Sequence, residues 1–316
     1  MKCSFLSAFL LAILSLTLSQ HLCPAPELVE PCECTSPYWP VTYRCENIAD
    51  QEALVTMFEK SLDYPLHALV IDNSTLLYLP AALMRAKNVT ILLISHSKMS
   101  AILDEPIGPS YEMQMFQVIE SSVQRGIDWD MLKGLRIGQI QIDRTEVRRI
   151  GSDFVSNVEP TVTEVTFDDA KIVMVHKEAF SKLTKLKVLS MPHNHIRKLH
   201  RSMFPSTSKI RILDFSWNKI SDLPDDIFSK MPALTDVFLE GNRIKSFPAR
   251  TWQKLIDNNL NQVTLADNPI VCDCGIKWYT RKRRSVRVTG KCAEPANLKN
   301  RNLIQLSPGD FSHCPK

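Results

Sequence analysis

The apolar positions of this chain recur at a long, even interval. Leu186, Leu189, Met191, Ile196 and Leu199, with Asn194 set among them, are followed by Ile210, Leu213, Phe215, Ile220 and Leu223 around Asn218. The pattern returns as Leu234, Val237, Leu239, Ile244 and Phe247 around Asn242, and each unit runs on to an aromatic: Phe204, Phe228 or Trp252. From Asn194 to Asn218 to Asn242 the step is 24 residues. Three consecutive copies are too many for chance, and they predict one short strand per unit with a looser return segment. Weaker copies keep the phase on both sides. The asparagine position reads Ser74, Ser97, Ser121, Thr145, Ala170, Asn194, Asn218, Asn242 and Asn268, in steps of 23, 24, 24, 25, 24, 24, 24 and 26.

These units fit L-x-x-L-x-L-x-x-N-x-L and resemble leucine-rich repeats. The resemblance implies an α/β fold: a solenoid, or horseshoe, of parallel strands whose leucines stack into one continuous core. Asparagine at the recurring position satisfies backbone groups of neighbouring coils. Ser and Thr supply part of that network and Ala170 none, so the N-terminal half is expected to be the more irregular. About eight coils fill residues 64–267. A solenoid exposes its core at both ends and needs caps there.

The cysteines lie where caps are required. Residues 1–19 read as a secretory signal, with Lys2, an apolar stretch from Phe5 to Leu18 and small residues at its end. Cys3 leaves with it. The other eight form two clusters, Cys23, Cys32, Cys34 and Cys45 within residues 20–63, and Cys272, Cys274, Cys292 and Cys314 within residues 268–316. In an oxidising compartment disulfides are favoured over zinc. By itself the sequence leaves three connectivities open at each end. Asn268-Pro269-Ile270-Val271-Cys272-Asp273-Cys274, with Trp278, Cys292, Pro295 and Cys314, resembles the C-terminal cap of extracellular leucine-rich-repeat proteins. That resemblance implies Cys272 with Cys292 and Cys274 with Cys314; the matching N-terminal cap implies Cys23 with Cys34 and Cys32 with Cys45. Eight residues between Cys23 and Cys32, and a short amphipathic helix at Ala53–Phe58, are similar to a group of secreted arthropod leucine-rich-repeat proteins. Many are named after the non-catalytic subunit of Oplophorus luciferin 2-monooxygenase. The name describes a partner subunit and carries no chemistry to any residue here.

Composition narrows the classes further. Of 316 residues 44% are apolar and 23% charged, which excludes disorder. A net charge of +4 is too small to imply nucleic acid as the main partner. No stretch after the signal is long and apolar enough to span a membrane. Residues between the core leucines face the concave side, which repeat proteins commonly use for binding. The candidate contact residues for an extracellular protein partner are Asp143, Asp168, Asp169, His193, Asp214, Trp217, Phe238 and Glu240. Trp217 and Phe238, on adjacent coils among acids, read as a hot-spot pair. The plainer alternative packs Trp217 across its neighbour and leaves the acids solvated.

Three other features bear on function. Asn73-Ser74-Thr75 and Asn88-Val89-Thr90 are glycosylation acceptors, and a glycan on Asn73 would turn contacts toward later coils. Arg281, Lys282, Arg283, Arg284 and Arg287 form a dense basic run suited to a heparan-like polyanion, or simply a solvated face of the cap. His193, His195 and His200 cluster, but no carboxylate stands at a metal-ligand spacing, and no nucleophile elbow or phosphate loop exists. The expectation is a secreted, extracellular protein-binding module with no catalytic residues, metal or cofactor. The alternative is a non-catalytic, stabilising subunit of a secreted luciferase-like monooxygenase, with the oxygenase as partner.

Overall fold

The computed structural model describes residues 23–35, 40–257, 260–281 and 286–315. The signal segment and Lys282, Arg283 and Arg284 of the basic run lie outside them. Twelve strands form one sheet in sequence order: β1 (Cys32–Cys34), β2 (Thr42–Glu46), β3 (Ala68–Asp72), β4 (Ile91–Ser95), β5 (Glu112–Ile119), β6 (Arg136–Asp143), β7 (Glu164–Asp168), β8 (Val188–Ser190), β9 (Ile212–Asp214), β10 (Asp236–Phe238), β11 (Gln262–Thr264) and β12 (Arg287–Thr289). Only β1 and β2 pair antiparallel; every later pair is parallel, one coil step apart. Leu189, Leu213, Val237 and Val263 stand opposite one another across β8–β11, so equivalent apolar residues stack and are buried. Each buried leucine-sized side chain contributes about 1.5–3 kcal/mol.

The sheet does not stop at the cap boundaries. β2 belongs to the N-terminal cysteine-rich segment and β12 to the C-terminal one, so each cap is also an end coil. Disulfides Cys23–Cys34 and Cys32–Cys45 close the first end, where β1 covers the open edge of β2. Cys272–Cys292 and Cys274–Cys314 close the other. A helix at Gln51–Lys60, N-capped by Asp50, buries Leu54, Met57 and Phe58 under the first coil. Lys87 is buried beside it: its ammonium donates to Tyr64 O at 2.6 Å and to Ser61 O, and lies 5.4 Å from the Tyr43 ring centre. At the far end Phe247 stacks with Trp252 and Trp278 while Tyr279 meets Phe247 and Trp278 edge-on, and Trp278 Nε1 donates to Phe247 O at 2.9 Å.

The N-terminal half carries the longer strands, and its irregularity falls at the turns, where a small sheet breaks between Ser122–Val123 and Arg149–Ile150. Strands β3–β7 have five to eight residues, whereas β8–β11 have three. Ser or Thr holds the ladder position after β3–β6, while β7, before Ala170, is five residues long without a ladder side-chain bond. Ser97 Oγ accepts from the ladder amide Ser74 N at 3.0 Å and donates to Ser95 O at 2.6 Å, which keeps the chain extended up to the turn. Ser121 and Thr145 repeat this geometry. Three short segments, Thr75–Leu76, Lys98–Met99 and Ser122–Val123, then pair as a second small sheet. The longer Asn218 amide accepts from Ile196 N, two residues past the preceding ladder position, and donates to Met191 O at 2.8 Å. It also donates to Phe215 O and Ser216 O in its own coil, which bends the chain early. Asn194, Asn242 and Asn268 behave alike. Ala170 separates the two ladders.

Candidate protein-binding face

In ten successive coils, from Asn47 to Asp267, the residue just before the ladder position leaves the strand in a left-handed conformation. Asn47, Asn73, His96, Glu120, Arg144, Asp169, His193, Trp217, Gly241 and Asp267 have φ between 44° and 66°. Asn, Asp, His and Gly tolerate this region; a tryptophan there is strained by about 1 kcal/mol or more. Trp217 is nonetheless 48% exposed at the rim of the concave face. Its seat is Gly241 in the next coil. A Cβ on Gly241 would come within 2.5 Å of the indole ring, so only glycine lets the ring lie flat. On the other side the His193 ring lies parallel, 6.2 Å between centres, and His193 Nδ1 is 2.8 Å from Asp168 Oδ1. Asp168, His193, Trp217 and Gly241 thus form one line across four coils.

This changes the expected hot spot. Phe238 stands opposite Asp214, three residues before Trp217, so the two aromatics are offset by about 10 Å along the strands. Trp217 pairs with His193 instead, and Phe238 is half-buried within its strand. Other candidates are partly committed. Asp214 Oδ1 accepts from Ser216 N and Ser216 Oγ, at 2.9 and 2.6 Å, which shapes its own turn. Glu240 accepts from Thr264 Oγ1. Asp143 has one oxygen shut from solvent without a partner, and burial pushes its carboxyl up, against the bond that Gln141 donates at 2.6 Å. Asp169 is exposed beside Asp168.

A second line occupies the early coils. His96 Nδ1 is 2.8 Å from Asp72 Oδ1, its Nε2 is 3.5 Å from Glu120, and Glu120 also pairs with Arg144. The His96 ring and the Ser95 hydroxyl hold the Asp72 carboxyl below its usual range. On the strands beside this line Val70, Ile91, Leu93, Met115 and Ile119 are half-buried neighbours on the open face. Sequence reasoning passed over this apolar stripe by concentrating on the strong repeats; the same phase applied to the weak ones points to it. Asn73 and Asn88 are both exposed, Asn73 within the left-handed column itself. Arg281 and Arg287 are exposed where the basic run is described. Asn194, between the clustered histidines, spends its amide on the ladder. Among the described residues Cys274, His313 and Cys314 come closest to a metal-ligand group, and their two sulfurs are joined to each other. Among the described residues no helix is long and apolar enough to cross a membrane.

A sequence model described as "Leucine rich repeat" matches residues 160–220, within which β7–β9 and two of the asparagine turns fall. No curated protein matches the chain. Among solved structures it is similar to a chain of the octameric complex of Latrophilin 3 (Lec, Olf), Unc5D (Ig, Ig2, TSP1) and FLRT2 (LRR), with 16% identity and a TM-score of 0.49. That likeness covers 79% of this chain and 91% of the other. The matched segment and the coil-by-coil register agree: the chain folds as a leucine-rich-repeat solenoid with disulfide-bonded caps at both ends.

Proposed function

We propose that the chain is a secreted, extracellular protein-binding module without catalytic activity, and that it grips a partner through the concave rim centred on Trp217. The observation that carries this reading is a bulky indole held half exposed in a strained backbone, with glycine kept beside it to seat the ring. Packing on Gly241 and His193 leaves about half of the residue open, and exposed aromatic anchors of this kind dominate interface energies. Asp168, Asp169 and His193 form the polar surround.

The eight-residue spacing from Cys23 to Cys32 favours one second reading, a stabilising subunit of a secreted luciferase-like monooxygenase. Arg281 and Arg287 would add contacts to a heparan-like polyanion. The deciding experiment is copurification of the tagged mature chain from its own secretion at physiological salt, wild type beside Trp217→Ala. Loss of one stoichiometric partner in the variant supports the concave-rim reading, and oxygenase activity in that partner supports the subunit reading. Equal recovery of the partner by both proteins removes Trp217 from the interface.

A further inference from the structure

The junction between the fourth and fifth coils is built differently from those around it. Up to Ser122, each turn donates backward, as Lys98 N does to Ser74 O and Ser122 N to Ser97 O, both at 2.8 Å. Val147 N instead donates forward, to Ala170 O at 2.9 Å. The small sheet ends at Ser122–Val123 and resumes as Arg149–Ile150 paired with Met174–Val175, three residues farther from the ladder. A surface groove of about 480 Å³ opens at this seam, with Trp129, Ile127 and Val147 among its lining. It continues into a hollow of about 390 Å³ beside Ile150, Val175 and His176.

Two features of the rim define what this groove suits. Val173 and Met174 are adjacent and 48% and 62% exposed, the latter the most exposed large apolar residue among those described. Paired apolar side chains on a groove wall mark contact surface more than isolated ones do. Arg125, Arg148 and Arg149 face the same groove. Arg148 is matched by Glu146, whereas Arg125 and Arg149 have no ion pair or side-chain hydrogen bond among the described residues. Asp153 is the single carboxylate lining the main groove, leaving it net basic; Arg125 and Asp153 also line the adjoining hollow, which Asp104, Glu105 and Asp128 make acidic, so Arg125 stands at the boundary and Arg149 within the basic part.

We propose that this groove docks an acidic segment of a partner protein, its carboxylates on Arg125 and Arg149 and an apolar side chain against Val173 and Met174. The site lies on the turn edge, separate from the concave rim, and does not depend on that reading. The test uses the full mature chain and three labelled synthetic peptides: alternating Glu and Leu, alternating Lys and Leu, and Glu alone, read by fluorescence anisotropy. The Glu–Leu peptide is expected to bind, with the other two weaker. Arg125→Gln/Arg149→Gln should weaken it about tenfold, as two charge-assisted contacts would. Met174→Ser should weaken it severalfold, and Trp217→Ala should leave it unchanged. All four positions are exposed, and thermal melting checks that the variants stay folded. Absence of binding, equal binding of the Lys–Leu peptide, indifference to the arginine changes, or loss in Trp217→Ala would each overturn the proposal.

Discussion

Substituting Gly241 by alanine tests the seat of Trp217 without touching the indole itself. Two effects are expected, and the structure separates them. Gly241 has φ +66°, where an L-residue is disfavoured by about 1–2 kcal/mol. The added Cβ would also lie 2.5 and 2.6 Å from two ring carbons of Trp217, so the ring must swing away. With 48% of the residue exposed, about 100 Å² of the indole is covered in place, worth at most about 2.5 kcal/mol. Gly241→Ala should therefore cost about 2–4 kcal/mol in urea unfolding. In a Trp217→Ala background the clash is gone, and the same substitution should cost only the backbone part, about 1–2 kcal/mol. The coupling of about 1–2 kcal/mol is the seat, measured by a double-mutant cycle. Tryptophan emission should also shift in Gly241→Ala, as the exposed indole changes surroundings. If Gly241→Ala costs the same in both backgrounds, the ring does not rest on Gly241 and the argument for a positioned anchor fails.

Other outcomes follow from the same contacts. Trp217→Ala should reduce partner affinity by about 2–4 kcal/mol, some 30-fold or more, as anchors at interface centres do; surface plasmon resonance with the copurified partner reads it. Asn218→Ala strands the buried Ile196 amide and loses the amide's bonds to three carbonyls, and should cost about 3 kcal/mol, whereas Ser97→Ala strands mainly Ser74 N and should cost about 1–2 kcal/mol, both by denaturant unfolding. Lys87 is pushed down to about 8 by burial, so below pH 8 both folded and unfolded chains hold its proton, and between there and about 10.5 the unfolded chain binds more. Its contribution to stability should accordingly rise with pH across that window by about 3 kcal/mol, and Lys87→Met should flatten the slope in unfolding measured on either side of it.

Much of this architecture is legible in the chain because it is local and repeated. The interval between Asn194, Asn218 and Asn242 sets the coil, and coil phase alone puts Trp217 at the rim and Leu213 in the core. What the phase leaves open is how neighbours a whole coil apart meet. Trp217 and Phe238 share a face in sequence terms, yet their register sets them three residues apart, while His193 and Gly241 lie in Trp217's own column. Gly241 carries no chemistry to notice until a ring is placed over it. The bonding of the serine ladder is set in the same way. A hydroxyl offers fewer bonds than an amide, but which amide it reaches depends on the spacing of the coils, and at that spacing Ser97 meets the ladder N–H of the coil before it.

That difference in reach also explains why the coils are not interchangeable. The Ser74, Ser97 and Ser121 turns follow long strands and pair beyond the ladder; the asparagine turns follow short strands and bind back into the preceding coil. The small sheet breaks between Ser122–Val123 and Arg149–Ile150, and one coil later Ala170 offers no side-chain bond to carry either ladder across. Backbone pairing beyond the ladder is therefore discontinuous, and the irregularity appears as a groove on the turn edge while the large sheet continues unbroken on the concave side. A solenoid whose two faces are governed by separate hydrogen-bond systems can alter one without disturbing the other. Replacing Ala170 with serine tests that separation: the hydroxyl should close on Thr145 N, raise the unfolding midpoint and narrow the groove, while leaving Trp217-dependent binding unchanged. A loss of Trp217-dependent binding in that variant would show that the two faces are coupled through the core.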